Sequence, residues 1–211
     1  MKELIIIGAR GFGREITDFA KHCIGYGDEF IIKGFLDDNP NALQRFGNYP
    51  PILASVEDYT IGPNDVFICG LGSIKWTQFY VSIILSKGGE FINLIHKHAV
   101  LQTNVELGKG IIIGQGSLIS TDVKIGDFTQ IMSYCILGHD VSIDMQCRIG
   151  DYVFLGGFTS IDCNSFIAVK ATVLDKLKIG KNVTIGAGSV VIKNVNDNTT
   201  VFGNPAKKIE Y

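Results

Sequence analysis

The segment Ile131-Met132-Ser133-Tyr134-Cys135-Ile136-Leu137-Gly138-His139-Asp140-Val141-Ser142-Ile143 places an aliphatic residue at every sixth position, at Ile131, Leu137 and Ile143. A period of six is neither that of an amphipathic helix nor that of a half-buried strand, and it is the signature of a repeat architecture. Outward from this segment the series runs without insertion from Leu101 to Val191, sixteen hexads in all. Two places before the aliphatic residue stands a compact one, among them Val105, Ser117, Thr129, Cys135, Thr159, Ala171 and Ser189; Ile111 and Leu177 are the larger exceptions. Glycine follows the aliphatic residue in eight hexads, as at Gly108, Gly126, Gly138, Gly150 and Gly186. The pattern predicts a parallel β-helix in which each hexad forms one flat side and one corner of a triangular prism. The aliphatic side chain should point inward at the corner, with glycine or Asp/Asn relieving the bend. Three hexads close a coil, so the series makes about five coils, roughly 25 Å at a ~4.8 Å strand spacing, with residues eighteen apart stacked.

The residues before the hexads follow a different grammar. Leu4 to Ile7 reads as a buried strand, Gly8-Ala9-Arg10-Gly11-Phe12-Gly13 as a turn, and Arg14 to Cys23 as a helix with Ile16, Phe19, Ala20 and Cys23 on one face. Phe30 to Leu36 is a second strand closing on Asp37-Asp38-Asn39-Pro40, and a loop containing Pro50-Pro51 follows. Val66 to Cys69 is a third strand, Ser73 to Lys87 a helix capped by Ser73, and Phe91 to Ile95 a last strand. This alternation predicts a small parallel α/β sheet, Rossmann-like and about half of a doubly wound fold, over residues 1–95; the β-helix and its tail take residues 96–211.

Composition narrows the function classes. The chain has 211 residues, 46% hydrophobic and 19% charged, which excludes a disordered chain, and no apolar run approaches the length of a membrane span. Nineteen Lys+Arg against 21 Asp+Glu give a net charge of -2, so no basic field attracts nucleic acid or anionic lipid. Leu4 to Ile7 is too short for the apolar core of a secretory signal, and a cytoplasmic location is expected. The five cysteines form no C-x-x-C pair and are expected to be reduced and buried. A metal-dependent hydratase on a hexapeptide prism needs three converging histidines, whereas the coil region holds only His139; no metal is expected.

His139 is the residue with chemical potential. It stands at a corner, where a side chain projects outward, and Asp140 beside it can accept a hydrogen bond from one ring nitrogen and leave the other to take a proton. A polar residue on a solvated face explains the same pair equally well. At the other end of the chain, Gly8-x-x-Gly11-x-Gly13 between strand and helix brings backbone N–H groups toward a phosphate, although it is not the G-x-G-x-x-G dinucleotide fingerprint. Trp76 and Tyr80 fall at helical spacing and read as packing residues. His96 and His98 read as structural, and His22 as a helix-surface residue.

The hexads, the Gly138-His139-Asp140 step, the Asn93-Leu94-Ile95-His96 entry, the Val201-Phe202-Gly203-Asn204-Pro205-Ala206-Lys207 tail and the preceding α/β domain together resemble the NeuD/PglD-like bacterial sugar acyltransferases. The resemblance implies a left-handed β-helix and acetyl-CoA-dependent N-acetylation of a nucleotide-linked amino sugar, of the 4-amino-4,6-dideoxyhexose type, for surface glycan biosynthesis. It makes His139 the general base and Asp140 the group that raises its basicity. It places coenzyme A along the prism between two subunits of a homotrimer, against Arg148, Gly157, Val169 and Ala187. Gly157 stacks on His139 and Ala187 on Val169, which suggests a track along the axis. Arg148 pairs with a phosphate or is a surface charge. Arg10, Gly11 and Phe12 would contact the sugar nucleotide, with Asp37, Asp38 and Gly72 at the neighbouring strand ends. Outward-facing Phe128, Tyr134, Tyr152, Phe154 and Phe158 would favour packing between copies. The alternatives are O-acetylation of a sugar or sialic acid, where the same base serves a hydroxyl, and a non-catalytic sugar-nucleotide scaffold.

Overall fold

The computed structural model of the protein describes residues 1–209. The chain divides into two compact units, one spanning Met1–His96 and the other beginning at Lys97.

The first unit is a five-stranded, all-parallel sheet of β1 (Lys2–Ile7), β2 (Phe30–Leu36), β3 (Ile52–Ala54), β4 (Asp65–Cys69) and β5 (Glu90–Phe91), in the order β3-β2-β1-β4-β5. Two helices accompany it, α1 (Gly11–Ala20) and α2 (Ile74–Ser86). Leu4, Ile5, Ile6, Phe35, Leu36, Phe67 and Ile68 form its core, each fully buried. Near-continuous apolar strands are what burial on both faces demands. Helix α1 begins three residues earlier than its periodicity predicts and ends at Ala20, because the glycine turn feeds straight into it: Gly8 sits at φ +94°, and a Cβ on Gly13 would lie 1.8 Å from the Gly8 carbonyl oxygen. Only glycine permits that approach. Ser73 caps α2 as expected, accepting a hydrogen bond from the Trp76 amide. The strand β3 interrupts the predicted loop, and the predicted last strand splits: Glu90–Phe91 pairs with β4, whereas Leu94–Ile95 lies outside this sheet.

The second unit is a left-handed, three-sided parallel β-helix built from two-residue strands. One face stacks Val100–Leu101, Leu118–Ile119, Ile136–Leu137, Phe154–Leu155, Thr172–Val173 and Val190–Val191. The second stacks the strands from Glu106–Leu107 to Lys178–Ile179, and the third those from Ile112–Ile113 to Thr184–Ile185, continued by Thr200–Phe202 and closed by the antiparallel Lys207–Lys208. Register advances by eighteen residues per coil, as at Leu118↔Ile136↔Phe154, until the last coil, where Thr184 pairs with Thr200 after sixteen.

Two details of the hexad differ from the reading above. The repeating aliphatic residue is the inward member of each flat strand rather than a corner residue, and from Ile113 onward all of them are buried. The left-handed backbone falls three places later, at Asn104, Asp122, Phe128, Tyr134, Asp140, Gln146, Tyr152, Phe158 and so on, with φ between 54° and 62°. The glycines that follow the aliphatic residues serve close approach instead. A Cβ on Gly126 would stand 2.6 Å from the Met145 amide nitrogen of the next coil.

The compact polar residues are hydrogen-bonded inside the prism. Ser117 donates to the Met132 carbonyl at 2.8 Å and accepts from the Cys135 amide, and Thr129 and Ser165 repeat the device. Each buried hydroxyl thereby ties consecutive coils at no desolvation penalty. All five cysteines are free thiols; four are buried as expected, but Cys163 is only half-buried. Burial pushes the Cys135 thiol up to about 11 and that of Cys147 to about 12, which keeps both unreactive.

Candidate active site

His139 stands at the corner that joins the first face to the second, between Leu137 and Ser142. Its side chain is 58% exposed and points out of the prism. The next residue, Asp140, is in the left-handed region at φ +58°, which turns its carboxylate back so that Oδ2 lies 2.8 Å from His139 Nδ1. That pairing fixes one ring nitrogen against a carboxylate and leaves Nε2 for chemistry. One coil further along, the Phe158 ring meets the imidazole edge-on, with centroids 5.0 Å apart and planes at 87°. The Phe158 amide donates to the His139 carbonyl at 3.0 Å, which locks the two corners in register.

The four residues expected along coenzyme A do not share one edge. Gly157 lies at the His139 corner, between Leu155 and Ser160, and its nearest neighbours are atoms of the imidazole. Val169 and Ala187 are exposed on the corner that joins the third face to the first, between Ile167 and Thr172 and between Ile185 and Val190. Arg148 is half-buried on a strand of the third face, paired with Gln130 and Phe166. The stacking of Gly157 on His139 and of Ala187 near Val169, whose carbonyl accepts from the Gly188 amide, holds. These are two tracks on two edges, however, and not one.

The first unit has its own cavity, of about 560 Å³, at the carboxyl ends of β1, β2 and β4. This is where open α/β sheets bind ligands, beside the point at which strand order reverses. Arg10, Phe12, Asp37, Asp38 and Gly72 line it; Gly11 opens α1 but is not among the lining residues. Asp37 holds the turn together, accepting from the Ala9 amide at 2.8 Å and from the Asn39 amide at 2.9 Å. Asp38 accepts from the Val56 amide at 3.3 Å and from the Tyr80 hydroxyl. Burial, and then the hydrogen bond to Asp38, pushes the Tyr80 phenol up to about 12.

Trp76 and Tyr80 also line the cavity, which corrects their reading as packing residues. Their rings stack at 5.9 Å and 27°, and Trp76 remains 50% exposed. The i, i+4 spacing that suggested packing is equally the spacing of a flat aromatic wall on one helix face. His96 is buried beside Phe19 and His22, a structural setting. Among the described residues no three or more His, Cys, Asp or Glu side chains converge as a metal site would require.

Comparison with known proteins matches the two units to two parts of one architecture. Residues 3–78 match the PglD N-terminal domain, and residues 122–157, which include His139, match the bacterial transferase hexapeptide, six repeats. In both parts the chain resembles the NeuD/PglD-like hexapeptide-repeat acyltransferases. Among solved members of this fold, the acetyltransferase domain of PglB from Neisseria gonorrhoeae superposes with a TM-score of 0.81 at 25% identity, over 99% of this chain and all of that one. A histidine-to-asparagine mutant of perosamine N-acetyltransferase from Caulobacter crescentus, solved with CoA and GDP-perosamine, superposes with a TM-score of 0.87 at 24% identity, over 100% of this chain and 98% of that one. A serine acetyltransferase from Bacillus pumilus is 46% identical over 46 residues, a stretch spanning about a fifth (21%) of its length. Those acyltransferases are what the chain is similar to.

Proposed function

We propose that the protein transfers an acetyl group from acetyl-CoA to the amine of a nucleotide-linked amino sugar, with His139 as general base. The observation that carries this reading is the 2.8 Å pairing of His139 Nδ1 with Asp140 at an exposed corner of the prism. It is supported by similar structures of the perosamine enzyme holding CoA and GDP-perosamine, and by the gonococcal domain holding acetyl-CoA. The cavity beside the Gly8 turn suits a sugar nucleotide: the amino end of α1 favours phosphate, and the Trp76–Tyr80 wall offers a flat apolar surface to a base or sugar ring.

In the reaction, His139 Nε2 accepts a proton from the acceptor amine. The amine nitrogen bonds to the acetyl carbonyl carbon as the carbon–sulfur bond breaks, and the proton on the imidazole passes to the departing thiolate. The base returns to its starting state. Asp140 keeps the ring in the tautomer that accepts at Nε2 and stabilises the cationic ring between the two transfers.

The protein works as a homotrimer in this reading. Five of the six outward residues of the first face are apolar, Val100, Leu118, Ile136, Phe154 and Val190, with Thr172 the polar exception; Val100, Ile136 and Phe154 are more than 40% exposed. Those of the second are Glu106, Lys124, Ser142, Ser160 and Lys178. The first face is flanked by the His139 corner on one side and the Val169–Ala187 corner on the other. Packing against copies of itself would join one chain's base to another chain's donor track. Of the outward aromatics, Tyr134, Tyr152, Phe154 and Phe158 are exposed, but Phe128 is buried at 7% and takes no part. The chain would work in the cytoplasm, where nucleotide sugars destined for surface glycans are made; no described helix is long and apolar enough to cross a membrane.

The test supplies acetyl-CoA with UDP-, GDP- and dTDP-linked 4-amino sugars and follows free thiol. Turnover with one of them, abolished by His139→Ala while sugar-nucleotide binding persists, is the expected result. Turnover unchanged in His139→Ala removes the base, and thiol release with none of the panel removes the acceptor class.

A further inference from the structure

Gly114, Gly126, Gly138, Gly150 and Gly156, each directly after an aliphatic residue, face the backbone of the next coil, whereas Gly157 stands one place further on, at the corner position of His139, and faces a side chain. A Cβ built on it would stand 2.9 Å from both Cε1 and Nε2 of His139 and 3.3 Å from Cδ2, and these three ring atoms are its nearest neighbours. Nothing in the local backbone asks for glycine, because Gly157 does not occupy the left-handed region. What the missing side chain leaves is room for the imidazole.

We propose that Gly157 is the positioning residue of the base: its bare Cα is the seat against which the Cε1–Nε2 edge of His139 rests. The proposal rests on the reading of His139 as general base and deepens it. Three contacts then hold the ring. Asp140 takes Nδ1 at 2.8 Å, Gly157 bounds the Cε1–Nε2 edge, and Phe158 meets the ring edge-on with centroids 5.0 Å apart. Phe158 is itself in the left-handed region at φ +59°, a costly conformation for a bulky residue and here one that sets its ring beside the imidazole. Along the same corner the stacked positions are Thr121, His139, Gly157 and Asp175, so the seat is one coil deep and belongs to the histidine alone.

A methyl group at Gly157 meets only the far end of an exposed side chain with two free torsions. The ring, not the backbone, gives way, and Gly157→Ala should fold normally while the Nδ1–Asp140 bond and the aim of Nε2 are lost. A role confined to the acyl donor makes the opposite forecast, weaker donor binding with the chemical step intact.

The experiment compares wild type with Gly157→Ala on the full chain, with Phe158→Leu as the second variant should the first not fold. Long-range nitrogen–proton NMR of the His139 ring reports its tautomer without any substrate. Kinetics with acetyl-CoA and the best acceptor of the nucleotide-sugar panel separate kcat from KM. The expected result is a single tautomer protonated at Nδ1 in wild type, a mixture in the variant, and kcat down at least tenfold with KM for acetyl-CoA within about twofold. An unchanged tautomer, or KM for acetyl-CoA raised tenfold with kcat kept, overturns the seat. Failure of the underlying reading looks different: His139→Ala then retains turnover, while the tautomer of the Gly157→Ala ring still decides whether the glycine seats it.

Discussion

The Asp140 carboxylate reaches the ring of its immediate neighbour His139 because Asp140 sits at φ +58°, the left-handed position that every coil corner of the prism offers. Adjacent residues on an extended strand point to opposite faces and cannot make this contact. The corner therefore supplies the dyad geometry, and the same geometry constrains its replacements. Asp140→Asn keeps an acceptor and tolerates the left-handed backbone, but it removes the charge that favours the cationic ring. The expected outcome is a kcat about 10–100-fold lower with little change in melting temperature, measured by thiol release and calorimetry. A kcat within twofold of wild type would show that the carboxylate is not used.

Gly138, one place before the base, makes the opposite case to Gly157. A Cβ there would lie 2.7 Å from the Gly157 amide nitrogen and 3.1 Å from the Gly156 carbonyl carbon, all backbone of the next coil. Neither coil can retreat without breaking its ladder, as the Gly138 amide donates to the Leu155 carbonyl at 2.8 Å. Gly138→Ala should cost about 1–3 kcal/mol, read as a lower urea midpoint at unchanged slope. Paired with a normal urea midpoint for Gly157→Ala, this contrast separates glycines that serve packing from the one that serves the ring.

Much of this was legible in the sequence, for a covalent reason. A hexad is one side of a coil, so the period of the aliphatic residues is the period of the fold, and sixteen uninterrupted repeats leave no room for a register error. The strand ends at Asp37, Asp38 and Gly72 were legible because a polar or glycine stop marks them, whereas their place beside a sugar nucleotide was implied only by the family resemblance. What escaped had a physical cause in each case. Ile52–Ala54 is three residues long and follows two prolines, too short to show alternation. Trp76 and Tyr80 obey a spacing shared by buried and ligand-facing helix faces. Gly157 and Val169 are twelve residues apart and eighteen make a coil, so they fall on different edges; residues stacked eighteen apart define the axis but not the edge on which they lie.

The single tryptophan makes the cavity directly observable. Trp76 is half-exposed, stacked on Tyr80 and part of the cavity wall, so a sugar nucleotide entering there should change its fluorescence. Trp76→Ala should weaken binding about threefold to tenfold, in line with ~0.5–1.5 kcal/mol for an aromatic contact, and leave kcat at saturation unchanged. Titration calorimetry checks the affinity. A saturating sugar nucleotide that leaves the wild-type emission untouched would put the ligand elsewhere.

At the other end of the same sheet, where the strands begin, charge does a structural job. Asp65 is buried and accepts from Lys33 at 2.6 Å, Tyr59 at 2.8 Å and the Gly62 amide at 2.6 Å, while Lys33 also meets Glu3 at 2.7 Å. Burial alone would raise the Asp65 carboxyl, but these three donors outweigh it and hold it below its usual value. A carboxyl lowered in the folded state stabilises fully above its unfolded value, about 4, and loses that contribution as pH falls through the lowered one. Asp65→Asn should therefore cost about 2–3 kcal/mol at pH 7, at or below the usual range for a broken buried pair because Glu3 still partners Lys33. The gap to wild type should narrow below pH 4, as urea unfolding at both pH values would record. A gap that stays constant down to pH 2.5 would show that the cluster contributes shape and not charge.

The apolar face of the prism carries the assembly argument to a single residue. Phe154 is 41% exposed at the middle of the first face, between Ile136 below and Thr172 above, and one residue before the buried Leu155. Its backbone continues the ladder whatever its side chain, so Phe154→Asp leaves the coil intact and places a charge where three copies would meet. Desolvating that carboxylate without a partner costs several kcal/mol at each of its occurrences. Light scattering should record about three times the chain mass for wild type and the single-chain mass for the variant, with an unchanged circular dichroism spectrum. Because the base and the Val169–Ala187 track lie on different corners of one chain, the monomer should also lose turnover while still quenching or enhancing Trp76 emission with the sugar nucleotide. A monomeric variant that retains full activity would mean that one chain completes the donor site alone, and the two edges would then need another account.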